Sequence, residues 1–397
     1  MEKTNLKIST TKFGQFKIFA ILFGLVLSLI AIVVLDVFTR YLPQPNWRET
    51  EKYSVSSIST GEKASSNNWK GAIKTFIPPG RPGLGFTPKF KEPTERLFDE
   101  NKYYIRDHDL GFKFAPGKFH VKHVAKDRSV LFDVHYTIDP SGRRVTIPSA
   151  SIAHSKKQIL FFGCSFVFGF GINDDETLSS QVAAQTVQYE VFNYGVGGWG
   201  PNNLLRLLNS KSFGSDLPKK KGIAIYEFID HHMDRIFGSL NLFQLNPDWI
   251  NSLPFYYFDS NHALKTQGMI GEARPWRNRF FTLLNMSNLF KFFDLRIPLS
   301  LSERELELTA EIFRGIDVAL KNRMDANIDL VVMFFPTSSF ANLLIPLLSQ
   351  RGIKTLDYSG VDLTQYVKGP IYLPDHHPSP GTNGFLAKQM IKDLGLK

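Results

Sequence analysis

The stretch Gln158-Ile159-Leu160-Phe161-Phe162-Gly163-Cys164-Ser165-Phe166 decides the fold. Its apolar residues run without polar alternation into a glycine, as they do in a strand buried on both faces of a parallel sheet. A serine at the exit of such a strand projects its hydroxyl into the cleft at the carboxyl ends of the strands. Far along the chain, just before the last predicted helix, stands Asp375-His376-His377-Pro378-Ser379. An aspartate two residues before a histidine supplies a base and its orienting partner from one loop.

Strands and helices alternate between these two blocks. Strands are predicted over 158–162, 190–194, 222–228, 328–335 and 353–358. Helices are predicted over 176–186, 201–209, 303–322, 340–350 and 381–394. Ser302-Glu303-Arg304-Glu305 forms a capping box, and Pro201 suits the first helical turn after a glycine-rich loop. The alternation predicts an α/β domain with a mostly parallel, doubly wound sheet. Residues 237–298 break the rhythm with an aromatic-rich insertion, in which Asp259-Ser260-Asn261 between β-prone runs predicts a hairpin.

Ahead of this domain, Val130, Phe132, Val134, Tyr136 and Ile138 alternate with Leu131, Asp133, His135 and Thr137, a period of two. Asp139-Pro140-Ser141-Gly142 then supplies turn residues. Residues 101–150 therefore read as a small β module leading into a catalytic domain at 151–397. Residues 39–100, with Ser- and Asn-rich patches and Ile77-Pro78-Pro79-Gly80, read as a stalk. Ile18 to Leu35 carries no ionisable residue, and a helix of that length rises about 27 Å, enough with its flanks to span a ~30 Å bilayer core. A cleaved signal peptide has a shorter apolar region and a small-x-small site, which Leu35-Asp36-Val37-Phe38 does not offer. Residues 17–38 are thus expected to anchor the chain once. Lys3, Lys7, Lys12 and Lys17 keep residues 1–16 in the cytoplasm, and the remainder is exported from the inner (plasma) membrane.

Cys164 is the only cysteine of the 397 residues, so an intrachain disulfide is excluded and a periplasmic setting fits better than a disulfide-stapled ectodomain. The net charge of +10 is spread along the chain, with one dense run at Lys219-Lys220-Lys221. It reads first as solvated surface and second as attraction to anionic lipid or polysaccharide. Export and the lack of any nucleic-acid motif argue against a nucleic-acid partner.

Ser165 is the candidate nucleophile, His377 the base and Asp375 the carboxylate that orients it; His376 is the competing base. Val167 stands where a G-x-S-x-G elbow needs glycine, so the ordinary α/β-hydrolase turn is excluded. Asn193-Tyr194-Gly195-Val196-Gly197-Gly198-Trp199-Gly200 follows a strand and precedes a helix, where its amides, with that of Ser165, can serve an oxyanion. The paired histidines 231/232 and 376/377 with Asp375 also permit a zinc reading, without any H-E-x-x-H spacing behind it.

From Lys157 to Lys397 these blocks resemble the SGNH (GDSL-like) hydrolase superfamily. Gly163-Cys164-Ser165-Phe166 stands for its Gly-Asp-Ser block with Cys164 in place of Asp, and Asp375-His376-His377-Pro378 has the D-x-H-P spacing of some members. Asn193 to Gly198 matches the glycine block, and the resemblance implies that Gly198 donates its amide to the oxyanion. The Gly-x-Asn-Asp block is missing; Ile229-Asp230-His231-His232-Met233-Asp234-Arg235 stands at its place, with His232 preferred over His231 as a substitute ring N–H donor.

The resemblance implies a three-layer α/β/α flavodoxin-like domain and ester chemistry through an acyl-serine, with no cofactor and no metal. The expected substrate is an O-acyl (acetyl) ester, of a cell-envelope glycan or a lipid. Water as acceptor makes the chain an esterase; a sugar hydroxyl makes it an acyltransferase, with a membrane acyl-transport protein as a partner to consider. A lipase or thioesterase and a non-catalytic glycan-binding scaffold are the rival readings.

Overall fold

The computed structural model describes residues 28, 30–35, 103–125, 128–147, 157–186, 188–210, 213–214, 217, 221–287, 301–324 and 328–396, and the backbone of 95–96. Among these, no helix is long and apolar enough to cross a membrane. Of the expected span only Ser28 and residues 30–35 are described, helical and exposed. The rest of it, the cytoplasmic tail and nearly all of the 39–100 stalk lie outside the described residues. The chain divides into two compact units, one of Met1–Ser59 with Trp276–Leu299, the other of Thr60–Pro275 with Ser300–Lys397.

The larger unit begins with β1 (Glu95–Arg96), β2 (Tyr104–Asp107), β3 (Gly111–Phe114), β4 (Gly117–Val124) and β5 (Val130–Ile138). β4 and β5 pair antiparallel, with β1 against β4; β2 and β3 form a separate hairpin. The period-two reading holds from 132 to 138, where Phe132, Val134, Tyr136 and Ile138 are buried and Asp133 and His135 exposed. Val130, expected on the inner face, is exposed at the strand's start, beside the register shift between His123 and Val124.

The main sheet follows with β6 (Lys157–Phe162), β7 (Tyr189–Asn193) and β8 (Lys221–Phe228), and after a β9 (Pro254–Phe258)–β10 (Leu264–Met269) hairpin it is completed by β11 (Ile328–Phe334) and β12 (Lys354–Asp357). Its five strands are all parallel, in the order β12-β11-β8-β6-β7. This is the flavodoxin-like 2-1-3-4-5 order, and its switch point lies between β6 and β8. The central strands β6, β8 and β11 bury both faces over most of their length. Leu160, Phe162, Tyr226, Phe228 and Phe334 meet helices Pro201–Asn209, Glu303–Arg323 and Ala341–Gln350 on one side. Ile159, Phe161, Ile225 and Met333 meet Leu178–Ala183 and Pro380–Leu394 on the other. The predicted hairpin forms, its turn held by the Asp259 carboxylate accepting from the Asn261 and Ala263 amides.

The β module does not stand alone. Its aromatic core of Tyr103, Phe114, Phe132 and Tyr136 is continuous with Phe168, Val196 and Trp199 of the α/β domain. Arg144, just past β5, is buried beside Tyr136 and Phe168 and bridges to Asn193 of β7. Its guanidinium donates to the Phe168, Gly169, Ile172 and His135 carbonyls and to the Asp174 carboxylate. Burial pulls its pKa down, opposed by Tyr136 and Asp174. A buried charge survives only when its donors are matched, and here every branch of the fork finds an acceptor. Arg144→Ala should therefore destabilise the protein by about 3–5 kcal/mol, read as a lowered midpoint of urea unfolding; an unchanged midpoint would refute the assigned role.

Candidate active site

The nucleophile's position starts with Gly163. At φ +157 a side chain there would press on Val167 Cγ2 at 2.7 Å, so only glycine lets the chain turn this sharply out of β6. Cys164 packs into the core, and Ser165 opens the single helical turn Ser165–Phe168, which ends in left-handed Gly169. The turn is held from outside by Arg144 on the Phe168 and Gly169 carbonyls and by Asn193 Nδ2 donating to the Val167 carbonyl at 2.8 Å. The same Asn193 accepts from the Gly195 amide through Oδ1, so one buried amide ties the serine turn to the glycine turn.

The C-terminal loop closes on itself before the last helix. Leu373 N–H donates to the His377 carbonyl, His376 N–H to Leu373, and Ser379 N–H to Ile371. Between these bonds His376 takes a left-handed backbone at φ +67, an uncommon state for a non-glycine residue. His377, not His376, meets the serine: its Nε2 lies 2.9 Å from Ser165 Oγ and its Nδ1 3.0 Å from Asp375 Oδ2. The His377 main-chain N–H adds a 3.2 Å bond to Asp375 Oδ1. With Nδ1–H donated to the carboxylate, Nε2 carries the lone pair that accepts the serine proton. Phe166 and Phe170 flank the imidazole at 5.5 and 4.9 Å between ring centroids.

Asp375 is buried, which by itself raises a carboxyl pKa, but the hydrogen bonds from His377 outweigh burial and hold the group below the usual carboxylate range. His123 of β4 is close enough to favour the same charge, and Tyr136 of β5 feels it in turn. Both electrostatic neighbours come from the β module, and His123 carries no sequence signal, since a histidine in an alternating strand reads as surface.

The Gly198 amide, like that of Ser165, donates to nothing among the described residues. The glycine turn also sits close to the serine: a methyl on Gly197 would lie 3.6 Å from Ser165 Cβ and collide with the Tyr104 hydroxyl. That hydroxyl donates to the Gly197 carbonyl at 3.3 Å, and Trp249 Nε1 donates to the Gly198 carbonyl at 3.1 Å. Tyr104 from the β module and Trp249 from the insertion therefore fix the turn from two sides.

His232 sits in the core. Its ring is fully buried between Tyr226 and Phe228, and Nδ1 accepts from the Ile229 amide at 3.3 Å. Burial holds its pKa well below the ordinary value, so the ring is neutral, and its Nε2 has no hydrogen-bond partner among the described residues. His231 lies 3.9 Å from Asp234. Asp230 spends its carboxylate on the Ser338 hydroxyl and on the Ser339 amide and hydroxyl. Among the described residues no group of three or more His, Cys, Asp or Glu could hold a metal.

Glu227, beside the Gly163 turn, was not singled out by sequence. Its carboxyl is buried, Oε2 has no hydrogen-bond partner among the described residues, and burial pushes its pKa up to about 8.

No family model matches this sequence, and no curated protein does either. Among solved structures the chain is similar to a lipolytic protein of the G-D-S-L family from Veillonella parvula DSM 2008, at 9% identity and a TM-score of 0.32, over 59% of this chain and 97% of that one. It is also similar to the acetyl xylan esterase Est2A of Butyrivibrio proteoclasticus, at 10% identity and a TM-score of 0.35, over 64% of this chain and 68% of that one.

Two pH effects follow. A carboxyl with a depressed folded pKa stabilises the fold above its unfolded value near 3.8 and loses that contribution as pH falls through the folded one. Asp375→Asn should flatten the acid limb of thermal stability against pH. Glu227 has the opposite sign: its raised pKa costs stability as pH climbs from 4.5 to about 8. Glu227→Gln should therefore raise the melting temperature more at the alkaline end of that window than at the acid end. Equal shifts at both ends would contradict a neutral buried acid.

Proposed function

We propose that this chain is an SGNH-type serine esterase acting on O-acyl esters through an acyl-serine intermediate. The observation that carries the reading is the continuous relay from Asp375 through His377 to Ser165. Ser165 Oγ attacks the ester carbonyl while His377 Nε2 takes its proton. The Ser165 and Gly198 amides receive the developing oxyanion. As the tetrahedral adduct collapses, His377 returns the proton to the departing alcohol and the acyl group stays on Ser165. Water then enters, His377 acts as base again, and the acid is released. If a sugar hydroxyl replaces water, the same steps transfer the acyl group.

The substrate class proposed is the acylated glycan of the cell envelope. In support, residues 18–35 have the length and apolarity of a bilayer anchor, and the lysines before them orient it with the large unit outside. A tethered, exported esterase meets the polymers next to its membrane.

The test is labelling of the full chain by a fluorophosphonate probe and turnover of p-nitrophenyl acetate. Both should vanish in Ser165→Ala and His377→Ala, and Asp375→Asn should lower kcat by about 10⁴-fold. Folded wild-type protein that neither labels nor turns over would overturn the catalytic reading.

A further inference from the structure

The helix Pro275–Met286 buries Phe281 but carries four of its other large apolar residues outward. Trp276 is 76% exposed, Phe280 52%, Leu283 66% and Met286 73%. Their spacing of four, three and three places them within about 120° of the helix circumference at 3.6 residues per turn. The other strongly exposed positions beyond Pro275 are only Arg279 and Thr282. A helix of a globular domain does the reverse, burying its apolar stripe and exposing its polar one. Four such side chains in water on one face mark a surface that something apolar covers.

Three features identify the occupant as a lipid surface. First, this segment, from Trp276 on, belongs to the same compact unit as the N-terminal apolar run, not to the unit that holds the sheet. Second, its start is basic. Arg274, Arg277 and Arg279 lie within about six residues, and their guanidinium groups stack over Phe255, Phe281 and Trp276 at 4.2, 5.0 and 4.7 Å. No Asp or Glu occurs from Ala273 to Phe293, so the net field favours anionic headgroups. Third, a tryptophan and arginines at one end with Phe, Leu and Met beyond are the side chains that suit the headgroup–acyl boundary.

We propose that Pro275–Met286 is an interfacial docking helix, laying Trp276, Phe280, Leu283 and Met286 into the outer boundary of an anionic bilayer. The inference rests on membrane attachment of the chain and not on ester chemistry, so the catalytic reading can fail without it. A second copy of the chain is the competing occupant.

The experiment uses the full chain reconstituted in phosphatidylcholine vesicles with and without phosphatidylglycerol. Trp276 emission is isolated as wild type minus Trp276→Phe and challenged with brominated phosphatidylcholine and with aqueous iodide. Docking predicts quenching by the bromolipid, protection from iodide, and a stronger effect with phosphatidylglycerol present. Replacing Phe280, Leu283 and Met286 by serine should reverse both quenching patterns while p-nitrophenyl acetate turnover stays unchanged. Iodide quenching without bromolipid quenching would overturn the proposal. So would protection from both quenchers accompanied by dimers in analytical ultracentrifugation, which would give the face to a second copy.

Discussion

Arg144 is the interaction on which the rest of the structure depends. A guanidinium taken fully out of water demands acceptors for a rigid fork of donors, and it finds them on both sides of a seam. On one side lie β5 and the segment that follows it; on the other lie the carbonyls that end the serine turn and the loop after it. The β module and the parallel sheet are therefore parts of one packed body around the serine. The two aromatic rings against the guanidinium, Tyr136 and Phe168, belong one to each side of the seam.

The same seam explains how the three reacting side chains are held. The parallel sheet delivers Ser165 at its switch point, where the connections leaving the paired strands β6 and β8 run to opposite faces of the sheet. The C-terminal loop delivers His377 and Asp375 together, so the base and its carboxylate move as one piece. The β module borders both parts: His123 favours the Asp375 charge, and the Tyr104 hydroxyl donates to the Gly197 carbonyl of the glycine turn. Trp249 adds a prop from the insertion. A site assembled from separated segments gains rigidity from such outer contacts, because each reacting group then has its rotamer limited by packing.

The segment after β8 is put to a structural use. Asp230 binds the Ser338–Ser339 turn and so joins the end of β8 to the loop after β11, while His232 turns inward among aromatic rings. The Ser165 and Gly198 main-chain amides stay undonated among the described residues, and their placement depends on the two turns.

Much of the architecture was legible because it is written in side-chain polarity. The strands at 158–162, 222–228 and 328–335 were found to within a residue, since uninterrupted apolar runs bounded by glycine or polar turns suit only a strand covered on both faces. The pairing of Asp375 with His377 was legible for a local reason, two residues in one short loop. Arg144 was not legible, because four of its five partners are main-chain carbonyls, which have no identity in a sequence. The burial of His232 was not legible either: a histidine after a strand end looks exposed until the helix that carries it turns its ring into the core. The sequence by itself determined the element order, the parallel sheet and the three residue types of the relay, since these follow from local polarity and spacing. Only the tertiary structure decided which histidine faces the serine, which glycine amides remain undonated and what charge is buried beneath the turn, because those depend on distances between segments that no local pattern encodes.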